Sequence, residues 1–600
     1  MKGQGMRQSM SWLHGWSGLL LGWLLFAIFL TGTIAYFRQE VTAWMQPETA
    51  ASRPSPHAAE IGLAKFAEVA PTAERWTISL PTDRSNVVRI SWPRGEDGGG
   101  REGGRNREGA SGGRTVEQAA GASRRNDAAA MRSRETRAGQ ARPERRASVP
   151  REGARGAGGG RRGGESLTLD ASTGEVLHPR KTAGGDFLYR FHFELYALPR
   201  EWARWIVGIA TMAMFVAIVS GIITHKKIFK DFFTFRPAKG QRSWLDAHNA
   251  TAVLSLPFHI MITFSGLVLF ASTLLPWAGD AMFGDQRGSR QEARAAEARE
   301  ADARRAAVAR QGGDGTLAPI APMLARAERH WGQPVSRIVV DNPGKPGSIV
   351  ELLPMHNDRL SQQSGSGGLG DVKLRFNAST GAMLGEERNQ PASAIAAVDA
   401  AIGSLHRARF ASTGLRWLFF LAGVGGTIMV GTGLVLWSVK RAEKVKSAGL
   451  SFGHRLVDHL NVGGVVGLGV ATGAYFWANR LLPVEMAGRA EKEISVFFAI
   501  WLLTFLHPLL RPLKRAWIEQ LVLAGLLFTT LPMLNALTSE AHLGVTIPAG
   551  NWMVAGLDLV VFASGLALLY TARRVTTHRG RARPERKRTV SAAIPMGEVA

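Results

Sequence analysis

The chain contains no cysteine among its 600 residues. That excludes disulfides, thiolate-bound zinc and cysteine-ligated iron–sulfur clusters, so any redox centre must be held by histidine or oxygen ligands. Carboxylates are nearly missing from the long apolar runs, where Asp558 and, at the mouth of another run, Asp458 stand almost alone. A charged path for ions through the membrane therefore has little to be built from. No Walker loop is present, nor a Gly-x-Gly-x-x-Gly following a strand, so nucleotide or flavin binding is not indicated. Reducing equivalents would have to come from a membrane quinol or a partner reductase.

What is present divides into two opposite populations. Apolar runs alternate with stretches rich in Gly, Arg and Glu, and about eight of these runs approach the ~20 residues that a bilayer crossing needs. They fall near 16–37, 205–224, 250–276, 414–437, 458–482, 494–510, 517–537 and 552–572. The formal charge of +25 could suggest nucleic acid, but its distribution argues for orientation instead. Basic residues crowd the short loops around Lys226–Arg242, Lys440–Lys446 and Arg511–Arg515 and the tail after Arg573, while residues 538–551 carry none. This is the positive-inside pattern; it implies both termini in the cytoplasm of a bacterial inner membrane and no nucleic-acid partner. Phe37-Arg38-Gln39 does not resemble a small-residue cleavage site, so the first run reads as an anchor that is kept.

The two long polar segments, about 38–203 and 277–413, fall on the periplasmic side and resemble each other. Each has a helical stretch (Ala58 to Val69; Ala321 to Trp331) and then an extended, β-branched one (Trp76 to Leu80; Ile338 to Val340). Each closes on the same turn, Asp170-Ala171-Ser172-Thr173-Gly174 and Asn377-Ala378-Ser379-Thr380-Gly381, with Gly free to take the positive φ such a turn demands. The repeat unit is therefore a span, a small α+β domain, a histidine and a second span, occurring twice. Residues 94–165 interrupt the first domain with a Gly, Arg and Glu tract that lacks core-forming side chains and reads as disordered. Residues 286–311 read as a charged helix or linker. The expected organisation is a mostly α membrane protein: a first span to residue 37, spans two and three at 204–276, a fourth at 414–440, a four-helix region at 450–575 and a basic tail at 576–600.

The histidines are placed by this repeat. His14 precedes Thr31-Gly32 and His248 precedes Ser265-Gly266 at an identical offset, while His192 and His406 end the two polar segments. His225 lies at the cytoplasmic end of span two, and His259 inside span three. Eleven residues of continuous helix turn about 1100°, so His248 and His259 are expected on one face, about 16 Å apart, apart from any kink at Pro257. Imidazoles are costly beside lipid, and a duplicated set at two depths suggests two stacked heme b groups, with iron held by histidines from several helices. His248 and His259 are the first expected ligands, then His406 and His192, then His14 and His225; His259→Ala is expected to lose one heme. Zinc or copper is the competing ligand, weakened by the absence of short metal-ligand spacing. His454 and His459, at the mouth of the fifth span, read equally well as helix-end caps. Asp558 reads as a buried hydrogen-bonding group, and Gly463 with Gly467 as a helix contact.

Leu13-His14-Gly15-Trp16-Ser17-Gly18-Leu19 with Thr31-Gly32, the two Ala-Ser-Thr-Gly turns, and Phe191-His192-Phe193 with Leu405-His406-Arg407 resemble the PepSY-associated transmembrane family. The resemblance covers about residues 7–440. Pro257-Phe258-His259-Ile260-Met261-Ile262-Thr263 and the four extra spans resemble its branch of diheme ferric-siderophore reductases. That resemblance implies electron transfer to a ferric siderophore or other iron chelate in the periplasm. Two further readings stay open at this point: a non-enzymatic PepSY module that binds or restrains a periplasmic peptidase, and a transporter of iron or its chelate.

Overall fold

The structure, a computed structural model, describes residues 5–93, 164–224, 241–275, 286–356, 372–388, 394–445 and 451–578. The first repeat opens with α1 (Met6–Ala35) and α2 (Arg38–Met45), followed by α3 (Ala58–Val69). Strands β1 (Arg75–Ser79), β2 (Val88–Trp92), β3 (Glu165–Leu169) and β4 (Val176–Leu177) come next, then α4 (Gly184–Glu194) and α5 (Arg200–Thr224). The second repeat runs through α6 (Gln241–Leu254), α7 (Leu256–Leu269), α8 (Gln286–Arg310) and α9 (Ile320–Trp331). It continues with β5 (Val335–Asp341), β6 (Ile349–Pro354), β7 (Val372–Asn377), β8 (Met383–Arg388), α10 (Ala394–Arg407) and α11 (Thr413–Val445). The C-terminal region is α12 (Phe452–Asn461), α13 (Gly467–Leu481), α14 (Arg489–Leu506), α15 (Leu513–Thr529), α16 (Leu531–Thr538) and α17 (Trp552–Thr577).

This is a multi-pass membrane protein. Among the described residues seven helices are long and apolar enough to cross a bilayer, or up to eight if α6 and α7 count as one bent span. The tract assigned from sequence to 94–165 is shorter than expected, because Glu165 already opens β3; its residues 94–163 lie outside the described residues. The charged stretch at 286–311 is helical, as α8.

The polar segments do not make two separate sheets. Their strands form one antiparallel sheet in the order β4-β3-β2-β1-β5-β6-β7-β8, so the repeats join edge to edge through β1 and β5. At that seam Trp76 faces Val340, Thr77 faces Val339 and Ile78 faces Ile338. These are the β-branched segments of the two repeats, and their pairing covers the edge that each four-stranded half would otherwise expose. α3 and α9 lie against the sheet, and Phe66, Met323, Ile78, Ile338 and Phe376 are buried in its core. The two equivalent turns share their chemistry. The side-chain oxygen of Asp170 accepts from the amides of Ser172 and Thr173, and that of Asn377 from those of Ser379 and Thr380. Gly174 and Gly381 close them at φ 77° and 69°, the left-handed region that glycine enters at least cost.

The C-terminal helices attach to the first repeat through buried polar groups. Asp558 on α17 accepts from the Trp44 indole at 2.8 Å and the Asn535 amide at 2.9 Å. The Arg480 guanidinium lies 3.8 Å over the Trp44 ring and donates to Asn535. Glycines set the closest helix approach, as Gly463 packs on Phe505 and Gly467 on Thr504.

Two outcomes test this arrangement. In the cysteine-free chain, Thr77→Cys combined with Val339→Cys should oxidise to an internal disulfide, since facing strand residues lie within the ~4.4–6.8 Å Cα range that the bond requires. Mass spectrometry would find the linked peptides; their absence under oxidation would break the single-sheet seam. Asp558→Ala leaves two buried donors unpaired, at about 1–3 kcal/mol each. It should lower the thermal unfolding temperature of the solubilised protein by several degrees.

Candidate functional site

Each of α1, α5, α7 and α11 carries a hydroxyl residue followed by glycine: Thr31-Gly32, Ser220-Gly221, Ser265-Gly266 and Thr432-Gly433. Without a Cβ, a helix surface lets a flat ring rest on its backbone. One imidazole does so at each position. A Cβ on Gly32 would stand 2.6 Å from the His192 ring, on Gly221 3.3 Å from His14, on Gly266 3.3 Å from His406 and on Gly433 3.1 Å from His248.

The carbonyl four residues before each glycine then comes within reach of Nδ1. His192 donates to Ile28 at 2.8 Å, His14 to Ala217 at 2.9 Å and His248 to Met429 at 2.9 Å. His406 differs: its Nδ1 lies 2.8 Å from the Ser265 hydroxyl, which itself reaches the Ile262 carbonyl at 3.1 Å. In the other three the partner is a carbonyl, which accepts only, so Nδ1 carries the proton and the Nε2 lone pair becomes the donor atom in the neutral ring. This is the orientation by which proteins aim a metal-ligating histidine. Burial holds the His192 and His406 rings below the ordinary imidazole range. His406 falls to about 3, with the nearby His192 and Arg407 adding to the effect of burial. Both are therefore neutral near pH 7, the form that can bind a metal.

The four rings form two pairs. His14 and His248 have centroids 6.2 Å apart, and so do His192 and His406. Within a repeat the anchoring is reciprocal, with α1 holding His192 and α5 holding His14. Across the repeats the pairs are mixed, each taking one histidine from the first copy and one from the second. Two imidazoles bound to opposite faces of one iron need a centroid separation of roughly 6.2 Å, from about 2.0 Å per metal–nitrogen bond and about 1.1 Å from nitrogen to ring centre. The ring separation at both places is the one that bis-histidine ligation would require. No cluster of three or more His, Asp or Glu side chains suited to a metal ion occurs among the described residues, and a bare zinc or copper site would need such a cluster.

His192 and His406 line a cavity of about 780 Å³, within the ~300–1,000 Å³ usual for cofactor and small-molecule sites. Its inner part is walled by Leu25, Phe29, Gly32, Val207, Ile262 and Gly266. Its other end reaches the sheet at Arg337, Leu353 and Val372. Glu40 on α2 organises the walls between, taking two bonds of 2.7 Å from Arg84 and lying 3.7 Å from Arg416 on α11.

The structure brings together four of the six histidines expected as ligands, and His225 lies outside the described residues. For His259 the structure changes the expected geometry. Pro257 has no amide proton, and the third span breaks there, α6 and α7 meeting at 69°. The continuous-helix estimate for His248 and His259 therefore does not hold. His259 is buried against Phe29, with centroids 5.9 Å apart, and against Gly426, and its buried Nε2 has no hydrogen-bond partner among the described residues. His454 and His459 bond Ser451 and the Arg455 carbonyl within their own helix. Ser220-Gly221 and Thr432-Gly433 escaped the sequence reading, although the dipeptides of α1 and α7 were the signal that points to them.

A family described as PepSY-associated TM region matches residues 11–440. An uncharacterized protein of Pseudomonas aeruginosa is 23% identical over 400 residues, which cover 64% of this chain and 93% of that relative. The family match spans both repeats and all four paired histidines.

The cradle makes a direct prediction. Gly32→Ala forces a methyl into the His192 ring and should destabilise by about 1–3 kcal/mol, the range for overpacking. Gly18→Ala in the same helix meets nothing within 4 Å and should leave thermal unfolding unchanged or raise it. Equal effects of the two variants would remove the special role of Gly32.

Proposed function

Since this chain belongs to the family of PepSY-associated transmembrane regions, we propose that its two imidazole pairs are the axial ligands of two b-type hemes. The protein then passes electrons across the membrane and reduces a ferric chelate, such as a siderophore, on the sheet side. The observation that carries this reading is the duplicated ring separation of 6.2 Å, with one histidine of each pair from each repeat. Bound heme supplies one-electron redox chemistry at each pair. Everything else is the work of the chain.

His14 and His248 hold the pair away from the sheet, and His192 and His406 the pair beside it. The carbonyls of Ile28, Ala217 and Met429 fix ring orientation and raise ligand basicity. The apolar wall around the second pair keeps water from its inner end. The basic loops orient the sheet toward the periplasm of a bacterial inner membrane, with both termini in the cytoplasm. A quinol or a cytoplasmic reductase is the electron source this scheme needs. One electron converts Fe(III) to Fe(II), which hard oxygen ligands bind less tightly, so iron leaves while the chelator stays intact.

The test is a visible spectrum of the purified protein, oxidised and dithionite-reduced, from cells supplied with heme precursors. Sharp reduced α-band absorption and about two hemes per chain are expected, one for each bis-histidine pair. His14→Ala and His192→Ala should each lose roughly half the heme signal. His259→Ala should keep both, contrary to the expectation from helical periodicity. A colourless preparation would overturn the proposal and leave the outer sheet as a protein-binding module.

A further inference from the structure

The cavity beside His192 and His406 has two chemically distinct ends. The inner one is apolar, whereas seven arginines and no aspartate or glutamate line the cavity as a whole. Three carboxylates stand behind this wall. Glu40 serves Arg84 and Arg416, Glu194 serves Arg204, and Asp186 lies 3.5 Å from Arg38. Arg337, on β5 at the sheet end, is half-buried, and among the described residues its guanidinium meets no hydrogen-bond or ion-pair partner. Burial lowers the pKa of its guanidinium. Arg409 is lowered too, by burial first and then by the nearby charges of Arg407 and Arg38. Cationic groups held together away from water attract an anion, and guanidinium forks match planar oxygen pairs.

A sheet-side heme would bring two propionates, for which cavity arginines such as Arg407, near His406, would be the candidate partners. Arg337 belongs to a different surface, since it projects from the sheet and shares its end of the cavity with Leu353, Met355 and His356. We propose that this end of the cavity, around Arg337, is the docking site for the substrate, and that it selects ferric chelates whose outer oxygens carry net negative charge, such as carboxylate or catecholate complexes. The inference rests on the reductase reading and adds the substrate class. It also places the substrate in the same cavity as the histidine pair that would deliver the electron.

The test uses the full-length purified protein and redox-inert gallium(III) complexes, so binding is read without turnover. Gallium(III) citrate, an anion, should bind in a calorimetric titration, and a cationic gallium trihydroxamate should not. Arg337→Gln should weaken citrate-complex binding about tenfold, the value of one charge-assisted hydrogen bond. Arg337→Lys should restore part of it, and heme content should be unchanged in both. Equal binding of the two complexes, or no loss in Arg337→Gln, would overturn the proposal. Loss of heme in Arg337→Gln would also overturn it, by assigning that guanidinium to a propionate. Wild-type protein that binds the gallium complex but contains no heme would defeat the reductase reading while leaving the anion site standing.

Discussion

A glycine in an apolar helix, with a carbonyl four residues before it, is the constraint on which this molecule depends. Within a membrane an imidazole is expensive unless its polar nitrogens are satisfied. Here the satisfaction comes from backbone oxygens that a side chain would otherwise cover, at Ile28, Ala217 and Met429, and for His406 from the Ser265 hydroxyl. The same contact that makes each histidine tolerable also fixes its tautomer and the direction of its other nitrogen. Packing and site chemistry are one interaction. This is why α1 and α5, and likewise α7 and α11, must come as partners.

Duplication then does the rest. A repeat alone presents two histidines at opposite ends of its helices with nothing facing them. Joining two repeats through β1 and β5 outside the bilayer, and through the helices within it, sets like ends against each other. Each end gains a facing pair at the same 6.2 Å separation. The sheet is therefore more than a cover. Its seam fixes where β5 stands, and with it the position of Arg337 at the sheet end of the cavity.

Much of this was legible in the residues. The Asp170 and Asn377 turns, the positions of His192 and His406, and the matched offsets after His14 and His248 expose the repeat without any three-dimensional information. Asp558 read correctly as a buried hydrogen-bonding group, because a lone carboxylate in an apolar span has few other ways to be stable. What escaped was long-range. Pairing of Trp76 with Val340 depends on register between strands far apart in the chain. Ser220-Gly221 and Thr432-Gly433 are ordinary dipeptides until a ring is seen resting on them. The shared face expected for His248 and His259 does not survive because periodicity assumes a straight helix, and the 69° bend around Ser255, next to Pro257, removes that assumption. Its buried Nε2, packed close to Gly426, remains a polar atom that the paired site does not use.

Each imidazole pair, one ring from each repeat, is proposed to hold a heme iron. Electron paramagnetic resonance of the oxidised, purified protein addresses it most directly, because the signal reports the axial ligands themselves. The account predicts low-spin ferric signals from two centres with bis-imidazole character and no high-spin component. A high-spin signal, a single centre, or no ferric heme at all would contradict it.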